Sequence, residues 1–364
     1  MIDLATYTTM GDKKNSDFFE EYLPRVYERR TASGLDQIVG NMAALVVQVE
    51  HGDGVPYMAE LAAMGPYRFQ AARLTDTHKV YVLQSQPDFP RIIVLEPLSA
   101  SYEDNITRWN NLYPLAKKKA NARYIGEVYK TTSTKAVREA LEPQNIRFAY
   151  PGDTVSSFYT MKHLTFTFMS DFTYNRVGYV DVDLDDLDAL GLGETISLTA
   201  DERGMLDRAD ALQEEHGIKG LVLGVDHAAT RILAGDREHA LLEYLTVVPY
   251  YFWGAYNIHE MNSSTNVTRH PDLDDEKRSP ARVFTANNTP SIVNSFDNLP
   301  MPTEDFVRNF GRRMHHMAVA VIDGHVAKEK NVDYVVRQLS DMGTKFLAHV
   351  VGECKDDPSL KQIF

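Results

Sequence analysis

The sequence predicts an α+β protein assembled from repeated units in which an apolar strand leads through a polar connection into a helix. Two stretches carry that prediction. Met314-His315-His316-Met317-Ala318-Val319-Ala320-Val321 is a short apolar strand opening on histidine, and Gly224-Val225-Asp226-His227-Ala228-Ala229 has the same character. Each is followed by a helix-like segment, Asp236 to Thr246 and Val332 to Met342, so the same unit occurs twice. A strand sends alternate side chains to opposite faces, which puts His316, Ala318 and Ala320 on one of them. A ring followed by small residues leaves space beside it, and a cupped sheet of this kind makes room for a metal and a substrate.

Composition narrows the function classes. The 364 residues suffice for two domains of ordinary size, and 43% hydrophobic with 24% charged residues is the balance of a globular protein. A net charge of -13 argues against a nucleic-acid partner, which draws on clustered Lys and Arg. Lys117-Lys118-Lys119 reads as a solvated helix face. The single cysteine, Cys354, allows no intrachain disulfide and fits a reducing, cytoplasmic compartment. Met1 to Lys14 lacks the basic start and apolar core of a signal peptide, and no apolar run approaches the roughly 20 residues that cross a bilayer. The sequons at Asn105 and Asn266 are therefore expected to be idle.

Val-Asp-His before a helix, then Gly311-Arg312-Arg313-Met314-His315-His316-Met317-Ala318-Val319, then a helix running into Leu339-Ser340-Asp341-Met342-Gly343-Thr344-Lys345-Phe346-Leu347, resembles the C-terminal domain of 4-hydroxyphenylpyruvate dioxygenase. The resemblance is clearest from Gly220 to Phe364. It implies the vicinal oxygen chelate fold, in which paired βαβββ modules form two open, cupped, barrel-like domains. It also implies a mononuclear Fe(II) held by a His on the first strand of the third module, a His on the first strand of the fourth, and a Glu on the last strand of the fourth. His227 and His316 match the first two positions. In the family the Glu follows a Leu-x-Gln-Ile-Phe strand by a loop and one more strand. Here Leu360-Lys361-Gln362-Ile363-Phe364 closes the sequence, so the Glu is expected beyond Phe364. Replacement by another acid such as Glu353, or a degenerate site, are the alternatives.

In chain order, Asn15 to Arg30 carries Phe18, Phe19, Tyr22, Leu23 and Val26 at amphipathic spacing, a helical extension over residues 1–30. An N-terminal domain of two modules and a connecting helix spans 31–215, and a metal-binding domain spans 216–364. Ala43 to Val49 predicts a buried strand, Tyr57 to Met64 a helix, and Val80 to Leu83 and Arg91 to Leu95 further strands. The second copy runs from strand Ala122–Tyr129 through helix Thr134–Leu141 and extended pieces at Phe148, Phe158–Tyr159 and His163–Phe168 to strand Val177–Leu184. Its acidic run Asp181 to Asp188 lacks the order of a calcium loop and reads as a strand end and solvated turn. Asp201 to Glu215 predicts the connecting helix. The third module holds strand Leu221–Ala228, helix Asp236–Val247 and strand Tyr250–His259, a surface loop over Asn262–Pro280, and strands Arg282–Asn287 and Pro290–Phe296. Met314–Ile322 and helix Val332–Met342, stopped by Gly343, open the fourth, with strands Phe346–Val351 and Leu360–Phe364 after them.

Two histidines and one carboxylate on one face of an octahedron are the usual ligands of a non-haem Fe(II) oxygenase, with positions left open for substrate and O2. The resemblance implies a dioxygenase that takes a 4-hydroxyphenylpyruvate-like 2-oxo acid and O2 and couples oxidative decarboxylation to hydroxylation. Extradiol ring cleavage or isomerisation, known for the same superfamily, is an alternative, as is a metal-free binding protein of the same fold. Ser295 and Asn298 are candidate substrate contacts; the family's Pro-x-Asn-Glu pattern is absent there, which leaves the substrate's identity open. His315 is expected on the opposite face as a structural residue, His259 is a weaker outer candidate, and the aromatic run Tyr250 to Trp253 is expected in the core. Dimerisation is what the resemblance implies for assembly.

Overall fold

The computed structural model describes residues 16–102, 122–150, 152, 156–168, 170, 172–258, 263–271, 279–288, 302–322 and 332–344. They fold into a nine-stranded and a five-stranded sheet with helices. After helix α1 (Leu23–Ala32), the first module is β1 (Val39–Val49), α2 (Gly54–Met64), β2 (Arg68–Leu74), β3 (His78–Gln84) and β4 (Arg91–Pro97). β4 lies parallel beside β1, giving the order β1-β4-β3-β2. The second module is β5 (Ala122–Thr131), α3 (Thr134–Leu141), β6 (Thr160–Met161), β7 (Leu164–Phe166) and β8 (Arg176–Val180). Its order, β5-β8-β7-β6, repeats the first. Antiparallel pairing of β1 with β5 joins the two about a local twofold, and β9 (Glu194–Thr195) extends the edge at β2.

Helix α4 (Ala200–Glu215) leads into the C-terminal half, its start fixed by a capping box between Thr199 and Glu202. β10 (Val222–Arg231), α5 (Arg237–Val247), β11 (Tyr251–Ile258), β12 (Ser263–Arg269) and β13 (Ala281–Asn287) make the third module in the order β10-β13-β12-β11. Helix α6 (Pro302–Phe310) precedes β14 (Met314–Val321), which runs antiparallel to β10 as β5 does to β1, and α7 (Val332–Asp341) follows. The expected strands Pro290–Phe296, Phe346–Val351 and Leu360–Phe364 lie outside the described residues.

Strand alternation builds two cores from one sheet. On one face Leu45, Val47, Ile92, Val94, Tyr124 and Tyr129 meet Val225, Leu241, Tyr244, Leu245 and Phe284 of the C-terminal half. On the other face Ala44, Val46, Ile93, Leu95, Val128 and Val180 pack on Phe158, Tyr159, Leu164 and Phe166, filling the N-terminal cup. β8 approaches β5 so closely that a Cβ on Gly126 would lie 1.8 Å from the Arg176 carbonyl oxygen, so only glycine fits. Helix α1 docks on the C-terminal half. The Arg30 guanidinium donates to the carbonyls of Leu245 at 3.0 Å, Val248 at 2.8 Å and Tyr250 at 2.5 Å, covering the open end of α5.

At the seam between the halves, the Arg282 Nε donates to Glu127 Oε1 at 3.0 Å, with both side chains 1% exposed. Arg282 also donates to the carbonyl of Ala228 and to Thr230 Oγ1 on β10, while the Tyr124 hydroxyl donates to Glu127 Oε2 at 2.5 Å. Burial, then the Glu127 charge, pushes the Tyr124 hydroxyl well above its ordinary pKa, so it stays a donor.

Several elements differ from the sequence expectation, and two of them show why. The polar stretch expected as a loop over Asn262–Pro280 contains β12, with Ser263, Thr265, Asn266, Val267 and Thr268 buried. Its hydroxyls are satisfied internally: Thr265 pairs with Thr285 at 3.0 Å, and Thr268 donates to the Arg282 carbonyl at 2.9 Å. β-branched residues suit a pleated strand even where hydropathy is low. The strand expected over Val177–Leu184 ends at Val180 because its acids turn to other duties. Asp181 accepts from the Thr134 backbone N–H at 2.9 Å at the start of α3, and Asp186 caps the short helix Leu187–Leu190.

Breaking the buried pair by Glu127→Gln or Arg282→Met is expected to cost about 3–5 kcal/mol, since the partner is left as an uncompensated buried charge. Removing both charges as Glu127→Gln with Arg282→Met should cost less than the sum of the two. Urea denaturation of the four proteins reads the difference, and additive losses would show that the charges do not interact.

Candidate metal centre

β10 and β14 bring the two predicted histidines together. His227 faces Ala318 across the antiparallel ladder and Ala281 across the parallel one, while His316 faces Ala229. The rings are 5.6 Å apart between centroids and perpendicular. Ala229, Ala281, Val283 and Val267 form a small apolar patch on the same face. Alanine at Ala229, Ala281 and Ala318 keeps the side chains beside the rings short.

Each ring is held by the residue before it. The His227 Nδ1 lies 2.8 Å from Asp226 Oδ2, and that hydrogen bond is the main reason the Asp226 carboxyl sits below its ordinary pKa. An ionised carboxylate accepts only, so His227 donates from Nδ1 and keeps Nε2 as a lone-pair donor to a metal. The His316 Nδ1 lies 2.8 Å from the Nδ1 of His315. This corrects the expectation that His315 stands on the opposite face. The ladder slips between Ala229–His316 and Thr230–Met314, so His315 is the extra residue of a β-bulge, and a bulge re-aims side chains. Its ring packs edge-on against Phe306 of α6, 4.8 Å between centroids.

Charge on this face is arranged for neutral imidazoles. Crowding by protein, then Arg231 and His316, lowers the His315 pKa to about 3, and crowding, then His227 and Arg231, lowers that of His316 to about 4. His316 is nonetheless open to solvent. Arg231, two residues beyond Ala229 on the same face, lies 5.5 Å over the Phe306 ring, with its pKa brought down by burial to about 10, so it remains charged at neutral pH.

Among the described residues no group of three or more His, Cys, Asp or Glu could hold a metal ion, so the pair stands without a third ligand there. Glu353, Ser295, Asn298 and His259 lie outside the described residues. Of the aromatic run, Tyr250 is buried as expected, whereas Trp253 is 53% exposed under the Arg269 guanidinium. Asp226 and His315 were missed as partners of the site; the signal was their adjacency to the two histidines.

The matching positions of the N-terminal modules explain why the histidines fall in this half. The first rung of each parallel ladder is Ala44–Arg91 in module one, Gly126–Arg176 in module two and His227–Ala281 in module three. Arg91 and Arg176 are buried and occupy the N-terminal cup, Arg176 over the Tyr159 ring at 4.4 Å. Where those cups hold a long guanidinium, the third holds an alanine beside a histidine.

Asp226→Asn is expected to weaken Co(II) binding about 10-fold or more while leaving stability near wild type. Titration by the cobalt visible bands reads it, and unchanged affinity would remove Asp226 from the site. The lowered histidine pKa values also set an acid limit for the metal-free protein. His315 and His316 bind protons more readily unfolded, near pH 6.5, than folded, so their stabilising contribution is complete above about pH 6.5 and is lost as pH falls toward about 4. Denaturation midpoints across that window should fall less steeply in His315→Gln.

No family model matches the sequence, and no curated protein matches it. Solved structures do. A variant of 4-hydroxymandelate synthase from Streptomyces coelicolor superposes with a TM-score of 0.54 at 13% identity, over 85% of this chain and 77% of that one. A xylose isomerase-like TIM barrel/4-hydroxyphenylpyruvate dioxygenase fusion protein superposes with a TM-score of 0.51 at 10% identity, over 94% of this chain and 47% of that one. Methylmalonyl-CoA epimerase from Mycobacterium tuberculosis matches 42% of this chain at a TM-score of 0.32, which carries no weight. Among the described residues no helix is long and apolar enough to cross a membrane. Module order, twofold pairing and these superpositions together give the chain the vicinal oxygen chelate fold.

Proposed function

We propose that this protein is a non-haem Fe(II)-dependent dioxygenase acting on a 4-hydroxyphenylpyruvate-like 2-oxo acid, with oxidative decarboxylation coupled to hydroxylation. The observation that carries the reading is the paired, pre-oriented His227 and His316 in a cup lined by alanine. The donor set fits the metal: both rings have Nδ1 engaged and Nε2 left over, and imidazole suits Fe(II). His227 and His316 would hold the ion, with the third ligand, a Glu by the resemblance, outside the described residues. A bound ferrous ion would supply chelation of the 2-oxo acid and activation of O2. The chain's own part is positional. Asp226 and His315 fix the rings, Ala229, Ala281 and Ala318 keep the space clear, and Arg231 gives the face a positive charge that favours a carboxylate substrate. The absence of a third ligand among the described residues favours one second reading, a metal-free binding protein of the same fold.

Protein purified anaerobically is expected to take up about one Fe(II) per chain, and His227→Ala and His316→Ala to lose it. Oxygen uptake should then follow addition of an aromatic 2-oxo acid and release CO2 in equal amount. Wild-type chain that takes up no Fe(II) would leave the binding-protein reading. Iron uptake without oxygen consumption on any 2-oxo acid would move the assignment to ring cleavage or isomerisation.

A further inference from the structure

A cavity of about 360 Å³ lies at the seam, on the opposite side of β10 and β13 from the histidines, between the second module and α5. That is the size of a small-molecule site. Neither carboxylate on its wall is left over: Glu127 is bonded through both oxygens, to Arg282 and to Tyr124, and Glu243 has a partner of its own. What the wall holds in excess is protons to donate. Backbone N–H groups use three of its hydroxyls as acceptors. Val177 donates to Thr167 Oγ1 at 3.0 Å, Phe172 and Thr173 each donate to Ser170 Oγ at 3.0 Å, and Asn175 donates to Thr173 Oγ1 at 3.4 Å. A hydroxyl that accepts keeps its own proton, and among the described residues none of these three O–H groups has an acceptor. Thr167 and Thr173 are buried, where such a proton needs one. Asn175 adds a fourth donor. Its Nδ2 stands 3.1 Å from Thr230 Oγ1, which already accepts from Arg282 at 3.0 Å, while Oδ1, in a residue 7% exposed, has no partner. Turning the amide over lets the Thr230 hydroxyl donate to Oδ1 and puts Nδ2 where Oδ1 stood. The cation on the wall is Arg147, an exposed residue stacked 4.6 Å over Phe168 and in no ion pair among the described residues. Phe168, Phe284 and Ile146 supply an apolar side.

We propose that this cavity is a second ligand site, for a small aromatic carboxylate. The two oxygens of a carboxylate offer about four acceptor positions, which suit three hydroxyls, one amide and a guanidinium. Donors left without acceptors in a largely buried space are costly, and an ionised acceptor satisfies them more strongly than a neutral one. The aromatic body is matched by the two phenylalanines. The site does not depend on the metal reading, since none of its residues lies on the histidine face.

Phenylacetate, phenylacetamide and phenethylamine share one body and differ in the group that would meet the donors. Calorimetric titration of the metal-free full chain is expected to give one site for phenylacetate at about 1 mM or tighter. The amide should bind about 10-fold more weakly and the amine not measurably. Arg147→Gln, at an exposed position, should weaken phenylacetate about 10-fold and leave the amide unchanged. Ile146→Trp, which fills the cavity without touching the buried ion pair, should abolish both, and His227→Ala should change neither. Equal binding of the three probes, no binding of any, or acid binding that survives Ile146→Trp in a protein with wild-type circular dichroism would each overturn the proposal. Loss of acid binding in His227→Ala would overturn it too, by moving the acid to the histidine cup.

Discussion

The buried contact between Glu127 and Arg282 is the constraint on which the rest of the structure turns. Two opposite charges 1% exposed are tolerable only when every remaining donor and acceptor is placed, because water cannot correct an error there. Arg282 meets that demand with three partners on two strands: Glu127 of β5, and the Ala228 carbonyl and Thr230 hydroxyl of β10. Two of those groups flank Ala229, the next residue after His227 on the same face of the strand. The register of the histidine strand is thus tied, through one guanidinium, to the N-terminal half.

Alternation makes this economical. On β13, Arg282 and Phe284 point to the seam while Ala281 and Val283 point to the cup. On β10, Ala228 and Thr230 face the seam while His227 and Ala229 face the cup. A single pair of strands therefore carries the inter-domain contact on one face and the histidine site on the other. A one-residue slip would exchange the two sets, burying imidazoles at the seam and turning a guanidinium into the cup. The charge pair specifies register as well as contact.

Much of this was legible in the chain. Strands buried on both faces, such as Ala43–Val49 and Arg91–Leu95, announce themselves as continuous apolar runs, and the strand-then-helix repeat gave the module order. What stayed hidden had low hydropathy. Ser263–Arg269 is polar by composition yet buried, because threonine hydroxyls close on neighbouring strands; β2 carries Arg68, Gln70 and Arg73 among only a few apolar residues and is mostly half-buried. Matching module positions led to His227 and His316, which β10 and β14 bring side by side. The bulge that turns His315 toward His316 could not be read, since an extra residue in a ladder leaves no mark on the sequence of one strand.

Repeated copies of one module need not each carry a site, and the first rungs of the three described parallel ladders show how they differ. A cup becomes a protein core if its walls send long side chains inward, and a binding space if they send short ones. In the N-terminal half Arg91 and Arg176 enter the cup from those rungs, and Phe158, Tyr159 and Phe166 fill what is left. In the C-terminal half the same rung is His227 with Ala281, and the neighbouring pairs are His316 with Ala229 and His227 with Ala318. Restoring a long side chain at Ala281 would rebuild there the packing of the N-terminal modules. The difference between the arginine-filled rungs and the rung of His227 and Ala281 is then a few side-chain volumes at equivalent positions of a shared backbone, and the filled N-terminal core is the packed partner of the C-terminal sheet.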